Sequence, residues 1–158
     1  TEKEKLSIKG LSINSKKIKI GFIFFAIKGY KLNGEKYIDE AVNKGAIVII
    51  CSKNCKYKNQ KVEIIKVANV RDTLSEISSK FYKLKPKNIF AVTGTNGKTS
   101  VSDLFYQILN LNKVPVASIG TLGVKLKNSL IKLDLTSPDT ILLHETLQKI
   151  KKKKKKNW

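Results

Sequence analysis

The 158 residues carry a formal charge of +20, and 41% of them are hydrophobic, as in a typical globular protein. This length is sufficient for one ordinary domain or two small ones with a buried core. The longest apolar run, residues 20–27, is too short to span a bilayer. We therefore expect no membrane insertion and a cytoplasmic location.

The high positive charge admits two interpretations, nucleic-acid binding or codon bias. The chain has 31 Lys but one Arg, together with 19 Ile and 12 Asn. Codons for Lys, Ile and Asn are rich in adenine and thymine, whereas proteins that recognise bases or phosphates through paired hydrogen bonds rely on Arg. We therefore expect no nucleic-acid partner. A basic nucleic-acid-binding module remains the alternative from a different functional class.

Residues 1–87 are predicted to form a small mixed α/β domain. Hydrophobic patterns predict strands over residues 6–13, 20–27, 46–51 and 62–67. Helices are predicted over residues 37–44, ending at Gly45, and over residues 69–84, with Asn69 as the N-cap. Pro86 ends the second helix and marks a hinge, so we predict a second domain over residues 88–158.

The second domain opens with the most informative stretch of the chain. An apolar strand beginning at Ile89 leads into a glycine turn, and a helix follows. The turn and the start of this helix consist of Gly94, Thr95, Asn96, Gly97, Lys98, Thr99 and Ser100. Backbone N–H groups in such a turn bind phosphate, the lysine contacts the β- and γ-phosphates, and the Thr99 hydroxyl binds Mg²⁺. Val92 stands where the usual P-loop has its first glycine, so this is a shortened variant.

The residues after the loop predict a strand–helix–strand unit. Apolar residues recur every three to four positions from Val101 to Leu111, which predicts one apolar helix face. Residues 114–120 are predicted as the next strand. Such a unit is typical of a parallel sheet, so the predicted fold class is α/β.

The cysteines and the histidine give no clear metal site. Cys51 and Cys55 are the only cysteines and His144 is the only histidine, so they do not complete a zinc site. The cysteine spacing permits a disulfide, but we expect reduced thiols. His144 is expected on the exposed side of a helix.

The C-terminal region predicts another helix and then becomes simple in composition. Ser137 is a candidate N-cap, with Pro138 at the first helical position and Asp139 in the first turn. Residues 151–156 are consecutive lysines. They are typical of a basic tail, or of a translated adenine tract where the reading frame slipped or the record was cut. We favour truncation, because one phosphate loop with two strands is an unfinished α/β domain.

Taken in series, these motifs resemble the Mur ligase family. Residues 94–100 resemble the ATP loop of those enzymes, and residues 13–46 resemble the conserved block of their uridine-nucleotide-binding domain. Residues 135–139 are similar to the substrate motif of the members that add a diamino acid, and residues 120–123 also fit those members. The resemblance covers nearly all of residues 11–147. It implies a UDP-substrate-binding domain over residues 1–87, followed by the beginning of a P-loop, parallel-sheet ATPase domain.

The resemblance also implies a reaction. ATP and Mg²⁺ would activate the D-glutamate carboxylate of UDP-N-acetylmuramoyl-L-Ala-D-Glu as an acyl phosphate, and the amine of a diamino acid, diaminopimelate or lysine, would attack it. The alternative within the family is the ligase that adds D-Ala-D-Ala. The second metal-binding elements and the domain that selects the amino acid are absent, so we expect this chain alone to be inactive. The full-length enzyme is expected to be monomeric.

Carried over residue by residue, the resemblance assigns Lys98 as the catalytic residue, residues 94–100 to ATP and Thr99 to the metal. It assigns a further set to the UDP-linked substrate: Ile13, Ser15, Tyr30, Lys31, Leu32, Thr136 and Ser137. The chain departs from the family pattern at four positions, where Asn14 replaces Asp, Lys16 replaces Arg, Phe22 replaces Asp and Ser137 replaces Thr.

Overall fold

The structure is a computed structural model, and it describes residues 7–29, 32–121, 123–127, 129–131 and 139–154. It divides into two compact units, Thr1–Lys80 and Phe81–Trp158. The parallel sheet in the first unit confirms the predicted α/β class.

The first unit is built on a four-stranded parallel sheet with the order β1-β2-β3-β4. In chain order its elements are β1 (Gly10–Ser12), β2 (Phe22–Phe25), α1 (Ile38–Asn43), β3 (Ala46–Ser52), β4 (Glu63–Val67) and α2 (Val70–Phe81). Short 3-10 turns, Ser15–Lys17 and Gly34–Tyr37, follow β1 and precede α1. All strands are parallel, so their carboxyl ends meet at one edge of the sheet.

The core of this unit lies on β2, β3 and α1. Phe24, Ile38 and Ile49 are almost fully buried there and belong to one hydrophobic cluster. Such continuous burial explains why β2 and β3 are apolar runs rather than alternating patterns. At about 25 cal/mol per Å² of apolar surface, each of these side chains contributes roughly 1.5–3 kcal/mol.

The predicted elements of the first unit are confirmed, although three of the four strands and both helices are shorter than predicted. The strand predicted over residues 20–27 begins only at Phe22, because Gly21 adopts φ +86, outside the extended region. Ile20, before it, is 75% exposed. Gly45 ends the α1 segment with φ +96, and the Asn69 side chain accepts the Arg71 N–H at 2.9 Å, as expected of an N-cap.

The second unit differs more from prediction. It contains α3 (Lys98–Leu111), β5 (Ser118–Gly120), β6 (Gly123–Leu126), β7 (Ser129–Ile131) and α4 (Thr140–Lys154). The three strands form an antiparallel sheet in the order β5-β6-β7.

The strand predicted from Ile89 to Thr93 was wrong, and so was the parallel strand–helix–strand unit. In the structure, residues 88–93 belong to no strand, and Phe90 is 73% exposed. β5 starts at Ser118 and pairs with β6 instead of with a strand before the loop. A parallel strand forms only when a neighbour supplies its ladder hydrogen bonds, and the described residues of this unit supply none to residues 88–93.

The start of α4 also differs from prediction. The helix begins at Thr140, and Asp139 precedes it as the N-cap, with its side chain accepting the Leu142 N–H at 2.8 Å. The prediction placed Asp139 inside the first turn, two positions after an N-cap at Ser137. A carboxylate caps well because it satisfies a free N–H and also faces the positive end of the helix dipole. Ser137 and Pro138 lie outside the described residues.

Candidate functional site

The glycine turn before α3 has two glycines with positive φ angles, at the position where a phosphate-binding loop is predicted. Gly94 and Gly97 adopt φ +146 and +76, respectively, and Gly97 occupies the N-cap position in the left-handed region. A side chain at Gly97 would meet no atom within 4 Å, so conformation and not crowding requires glycine there. The turn thus directs the chain into α3 without a side chain over the helix terminus.

The N-terminus of α3 keeps its amide groups available. The first four N–H groups of any α-helix have no partner within the helix. Gly97 makes no side-chain cap hydrogen bond, and the first turn of α3 has no acidic residue. A terminus of this kind on a 14-residue helix favours an anion, because free N–H groups and the helix dipole act together.

Lys98 brings a positive charge to the same place. Its Nζ donates to the carbonyl oxygen of Gly94 and, at 3.2 Å, to that of Thr95. The side chain is exposed, as are all residues from 91 to 100. The ammonium group therefore lies over the loop and outside any core. At this position a phosphate group could replace the two carbonyl oxygens as its hydrogen-bond acceptor.

Thr99 and Ser100 follow on the first turn of α3 with exposed hydroxyl-bearing side chains. One turn further, the Asp103 carboxylate binds Lys125 of β6 and accepts a hydrogen bond from Gln107. The hydrogen bond from Lys125 lowers the pKa of Asp103. Thr99 and Ser100 thus present exposed hydroxyl groups on this turn, whereas the Asp103 carboxylate already has a cationic partner.

Three residues predicted to bind the substrate lie at the carboxyl edge of the first unit's sheet. Ile13 and Ser15 follow β1, and Leu32 follows the adjacent β2. Leu32 is 66% exposed, whereas Ser15 is buried and its hydroxyl donates to Glu40 at 2.6 Å. The structure thus places the three at one edge, with Ser15 held by α1.

The other predicted substrate residues, Tyr30, Lys31, Thr136 and Ser137, lie outside the described residues. Two of the departures from the family pattern have local structural roles. The Asn14 side chain caps the turn that follows by accepting the Lys16 N–H at 2.9 Å. Phe22 packs against the core cluster, and its ring fills the space that a side chain at Gly10 would occupy.

Sequence reasoning missed a cavity of about 170 Å³ at the carboxyl edge of the same sheet. Its polar lining comes from three segments that are distant in sequence, with Lys28, Ser52, Asn69 and Arg71 as the polar residues. No local motif links these four residues, because they meet only when β2, β3 and α2 pack together. The one available signal was the solitary arginine.

The cysteines and the histidine provide no metal centre in the described part of the chain. Cys51 and Cys55 are both free and buried, as predicted for reduced thiols. Burial, together with a hydrogen bond to Cys55, raises the pKa of Cys51 to about 12. His144 is not exposed as predicted but half-buried on α4, where burial lowers its pKa. No group of three possible ligands occurs among the described residues.

Within the part of the chain that the structure describes, no helix has the length and apolar composition needed to cross a membrane.

Comparisons with known families account for most of the chain. Residues 7–82 match the model described as "Mur ligase family, catalytic domain", and residues 92–158 match the "Mur ligase middle domain". The chain belongs to the Mur ligase family.

Curated relatives indicate which kind of Mur ligase the chain resembles. The UDP-N-acetylmuramoyl-L-alanyl-D-glutamate--2,6-diaminopimelate ligase of Rickettsia felis is 44% identical over 123 residues, covering 78% of this chain and 23% of that protein. The ligase of the same name from Rickettsia bellii is 46% identical over 122 residues, covering 77% and 24%. That of Bradyrhizobium diazoefficiens is 37% identical, covering 92% and 30%. The chain therefore spans less than a third of the length of these relatives.

Solved structures show the same relationship. A UDP-N-acetylmuramoyl-L-alanyl-D-glutamate--2,6-diaminopimelate ligase superposes with a TM-score of 0.76 at 27% identity, covering 92% of this chain and 30% of that one. The MurF ligase of Thermotoga maritima, solved in complex with ADP, superposes with a TM-score of 0.53 at 29% identity, covering 69% and 25%. The diaminopimelate ligase thus matches over a larger part of the chain.

Proposed function

We propose that this chain supplies the substrate-binding domain and the ATP loop of a ligase that adds 2,6-diaminopimelate to UDP-N-acetylmuramoyl-L-Ala-D-Glu. The observation that carries the proposal is the uncapped N-terminus of α3 with the Lys98 ammonium group beside it. The names of the curated relatives support this step over the addition of D-Ala-D-Ala.

In this proposal the two domains, residues 1–87 and 88–158, divide the work. The exposed loop between Gly94 and Ser100 binds ATP through its amide groups, and Lys98 neutralises charge on the transferred phosphoryl group. Thr99 supplies a hydroxyl oxygen to Mg²⁺. ATP, when bound, provides the phosphoryl group that activates the carboxylate. This use of ATP agrees with a cytoplasmic location.

The first domain holds the UDP-linked substrate. The residues proposed to contact it are Ile13, Ser15, Tyr30, Lys31 and Leu32, with Thr136 and Ser137 contacting the muramoyl-dipeptide portion. Ile13 and Leu32 are accessible at the carboxyl edge of the sheet. Their position fits the general rule that parallel sheets bind ligands at this edge.

Salt dependence separates this proposal from a nucleic-acid-binding module. We expect UDP-N-acetylmuramoyl-L-Ala-D-Glu to bind with an affinity that changes little between 50 mM and 200 mM salt. A protein that neutralises six to ten DNA phosphates loses roughly 10³–10⁵ in affinity over that range. Tight, steeply salt-dependent binding to random duplex DNA without binding of the UDP-dipeptide would overturn the proposal.

The same measurement separates the two ligases when the substrate already carrying the diamino acid is titrated as well. The proposed step predicts tighter binding of the UDP-dipeptide, the substrate to which the diamino acid is added. Preference for the UDP-tripeptide would favour the D-Ala-D-Ala-adding ligase instead.

A further inference from the structure

The turn that follows β1, residues 13–17, is joined to α1 by a side-chain hydrogen bond. The Ser15 hydroxyl donates to a carboxylate oxygen of Glu40 on α1 at 2.6 Å. The other side-chain hydrogen bonds of this turn are local, since Ser12 bonds with Asn14 and the Asn14 side chain accepts the Lys16 N–H. Among the described residues, Glu40 is therefore the side chain from another element that accepts a hydrogen bond from this turn.

The Ser15 hydroxyl is directed to α1 and not to an open surface. Ser15 is buried, whereas Ile13, two residues earlier, is exposed. A serine hydroxyl has one hydrogen to donate, and that of Ser15 is used in the bond to Glu40. The hydroxyl thus fastens the turn, while the exposed part of the turn remains available to a ligand at this edge of the sheet.

Glu40 is itself held through its other carboxylate oxygen. The Nζ of Lys44, one helical turn later, donates to that oxygen at 2.7 Å. The hydrogen bonds from Lys44 and Ser15 lower the pKa of Glu40, so this group is an ionised carboxylate at neutral pH. An ionised carboxylate only accepts hydrogen bonds, and it binds a hydroxyl more strongly than a neutral acceptor does. The contact between Glu40 and Ser15 is therefore a charge-assisted bond with a buried donor.

Loss of the Glu40 carboxylate would leave the buried Ser15 hydroxyl without its acceptor. A buried hydroxyl without a partner is unfavourable, because it has given up its hydrogen bonds with water and gained none. The turn would have to open to hydrate this group. Because Ile13 lies only two residues from Ser15, such an opening would also displace Ile13.

We propose that Glu40 is a positioning residue for the UDP-linked substrate. It holds the turn after β1 through Ser15, and the substrate contacts Ile13 and the main chain of this turn rather than the Ser15 hydroxyl. The inference rests on the proposed function, which assigns Ile13 and Ser15 to the substrate. Glu40 itself lies outside the set of residues that the family resemblance assigns to any ligand.

A double-mutant cycle tests this role. Calorimetry measures the binding of UDP-N-acetylmuramoyl-L-Ala-D-Glu to the 158-residue chain and to its Ser15→Ala, Glu40→Ala and doubly substituted variants. Each single substitution should weaken binding by about five- to tenfold, and the double variant should bind no more weakly than Glu40→Ala. Glu40→Gln keeps an oxygen acceptor and should restore the affinity to within about threefold of the unsubstituted chain.

Glu76→Ala is the matched control. Glu76 on α2 pairs with Lys80 at 2.6 Å, four residues apart and in the same unit, as Glu40 pairs with Lys44. Its loss should leave substrate affinity unchanged.

Hydrogen exchange observes the turn without any ligand. The amides of residues 16–18 donate to Asn14 and Ser15 within the turn. Their exchange should be faster in Glu40→Ala, while exchange at the core residue Ile49 stays the same.

The possible outcomes distinguish this inference from the proposed function. Losses that add in the double variant would show that the Ser15 hydroxyl contacts the substrate itself, which overturns the inference. Equal affinities of Glu40→Ala and Glu76→Ala also overturn it, but leave the proposed function standing. If the unsubstituted chain does not bind the UDP-dipeptide, the proposed function fails. In that case, faster exchange confined to residues 16–18 in Glu40→Ala supports the anchoring of the turn by Glu40, and unchanged exchange overturns it.

Discussion

Replacement of Lys98 by alanine tests the phosphate loop directly. The Nζ of Lys98 contacts only loop carbonyls, those of Gly94 and Thr95, among the described residues, and the side chain is exposed. Exposed hydrogen bonds of this kind contribute little to folding, so we expect the free energy of unfolding to change by less than about 1 kcal/mol. The fold should therefore survive the substitution.

The effect on ATP should be much larger. A hydrogen bond to a charged partner contributes about 1.5–3 kcal/mol, and about 1.4 kcal/mol corresponds to a factor of ten in affinity. Lys98→Ala should thus weaken ATP binding by roughly tenfold to 150-fold. Equilibrium binding of ATP to the 158-residue chain measures this change, and urea unfolding of the same protein measures stability.

A matched control distinguishes the loss of a specific contact made by Lys98 from the loss of one positive charge in the same unit. Lys87→Ala removes another exposed lysine in the same unit, outside the loop, and should leave ATP affinity within about twofold. Equal ATP affinity in Lys98→Ala and the wild-type chain would refute the phosphate-loop assignment. A loss of stability above about 2 kcal/mol would instead assign Lys98 a structural role.

Three further predictions concern the first unit. Ile49→Ala should lower the free energy of unfolding by about 2–5 kcal/mol in urea titrations, because Ile49 is fully buried in the core cluster; a smaller loss would mean that the site collapses around the cavity. Hydrogen bonds from Lys44 and Ser15 lower the pKa of Glu40 from its usual 4.5, so its contribution to stability is present above that value and lost as the pH falls below it. Glu40→Gln should therefore reduce the loss of stability between about pH 6 and pH 3, and an unchanged pH profile would contradict this assignment. Cys51, with a pKa of about 12, should resist alkylation at pH 8 until urea unfolds the chain, and rapid labelling of the native protein would show that the thiol is accessible.

Local patterns in the sequence were sufficient to predict the helices and strands of the first unit. The apolar run of β3, the Asn69 cap and the stop at Gly45 each depend on residues that are close in sequence, so their structures were predicted correctly. The start of β2 was predicted two residues too early, because the backbone conformation of Gly21 decides where the strand begins. Such limits are set by dihedral angles that an apolar run does not reveal.

The candidate phosphate loop could also be predicted, since a turn and the start of a helix are local structures. The cavity could not, because Lys28, Ser52 and Arg71 come together only through the packing of β2, β3 and α2. A sequence pattern records spacing along the chain, whereas this cavity depends on the order of strands in the sheet. The solitary arginine indicated that the position was unusual but not which residues surround it.

The failed prediction at residues 88–93 has a related cause. The pattern of apolar residues was that of a buried parallel strand, and the helix after the loop formed as predicted. Yet the apolar residues of α3 remain exposed, with Leu104 at 59% and Ile108 at 50%. Phe90 contacts the Phe105 ring, so the segment and the helix share one apolar surface, although residues 88–93 form no strand. A helix forms from hydrogen bonds within its own segment, whereas a parallel strand requires partners from elsewhere, and this difference explains why one prediction succeeded and the other failed.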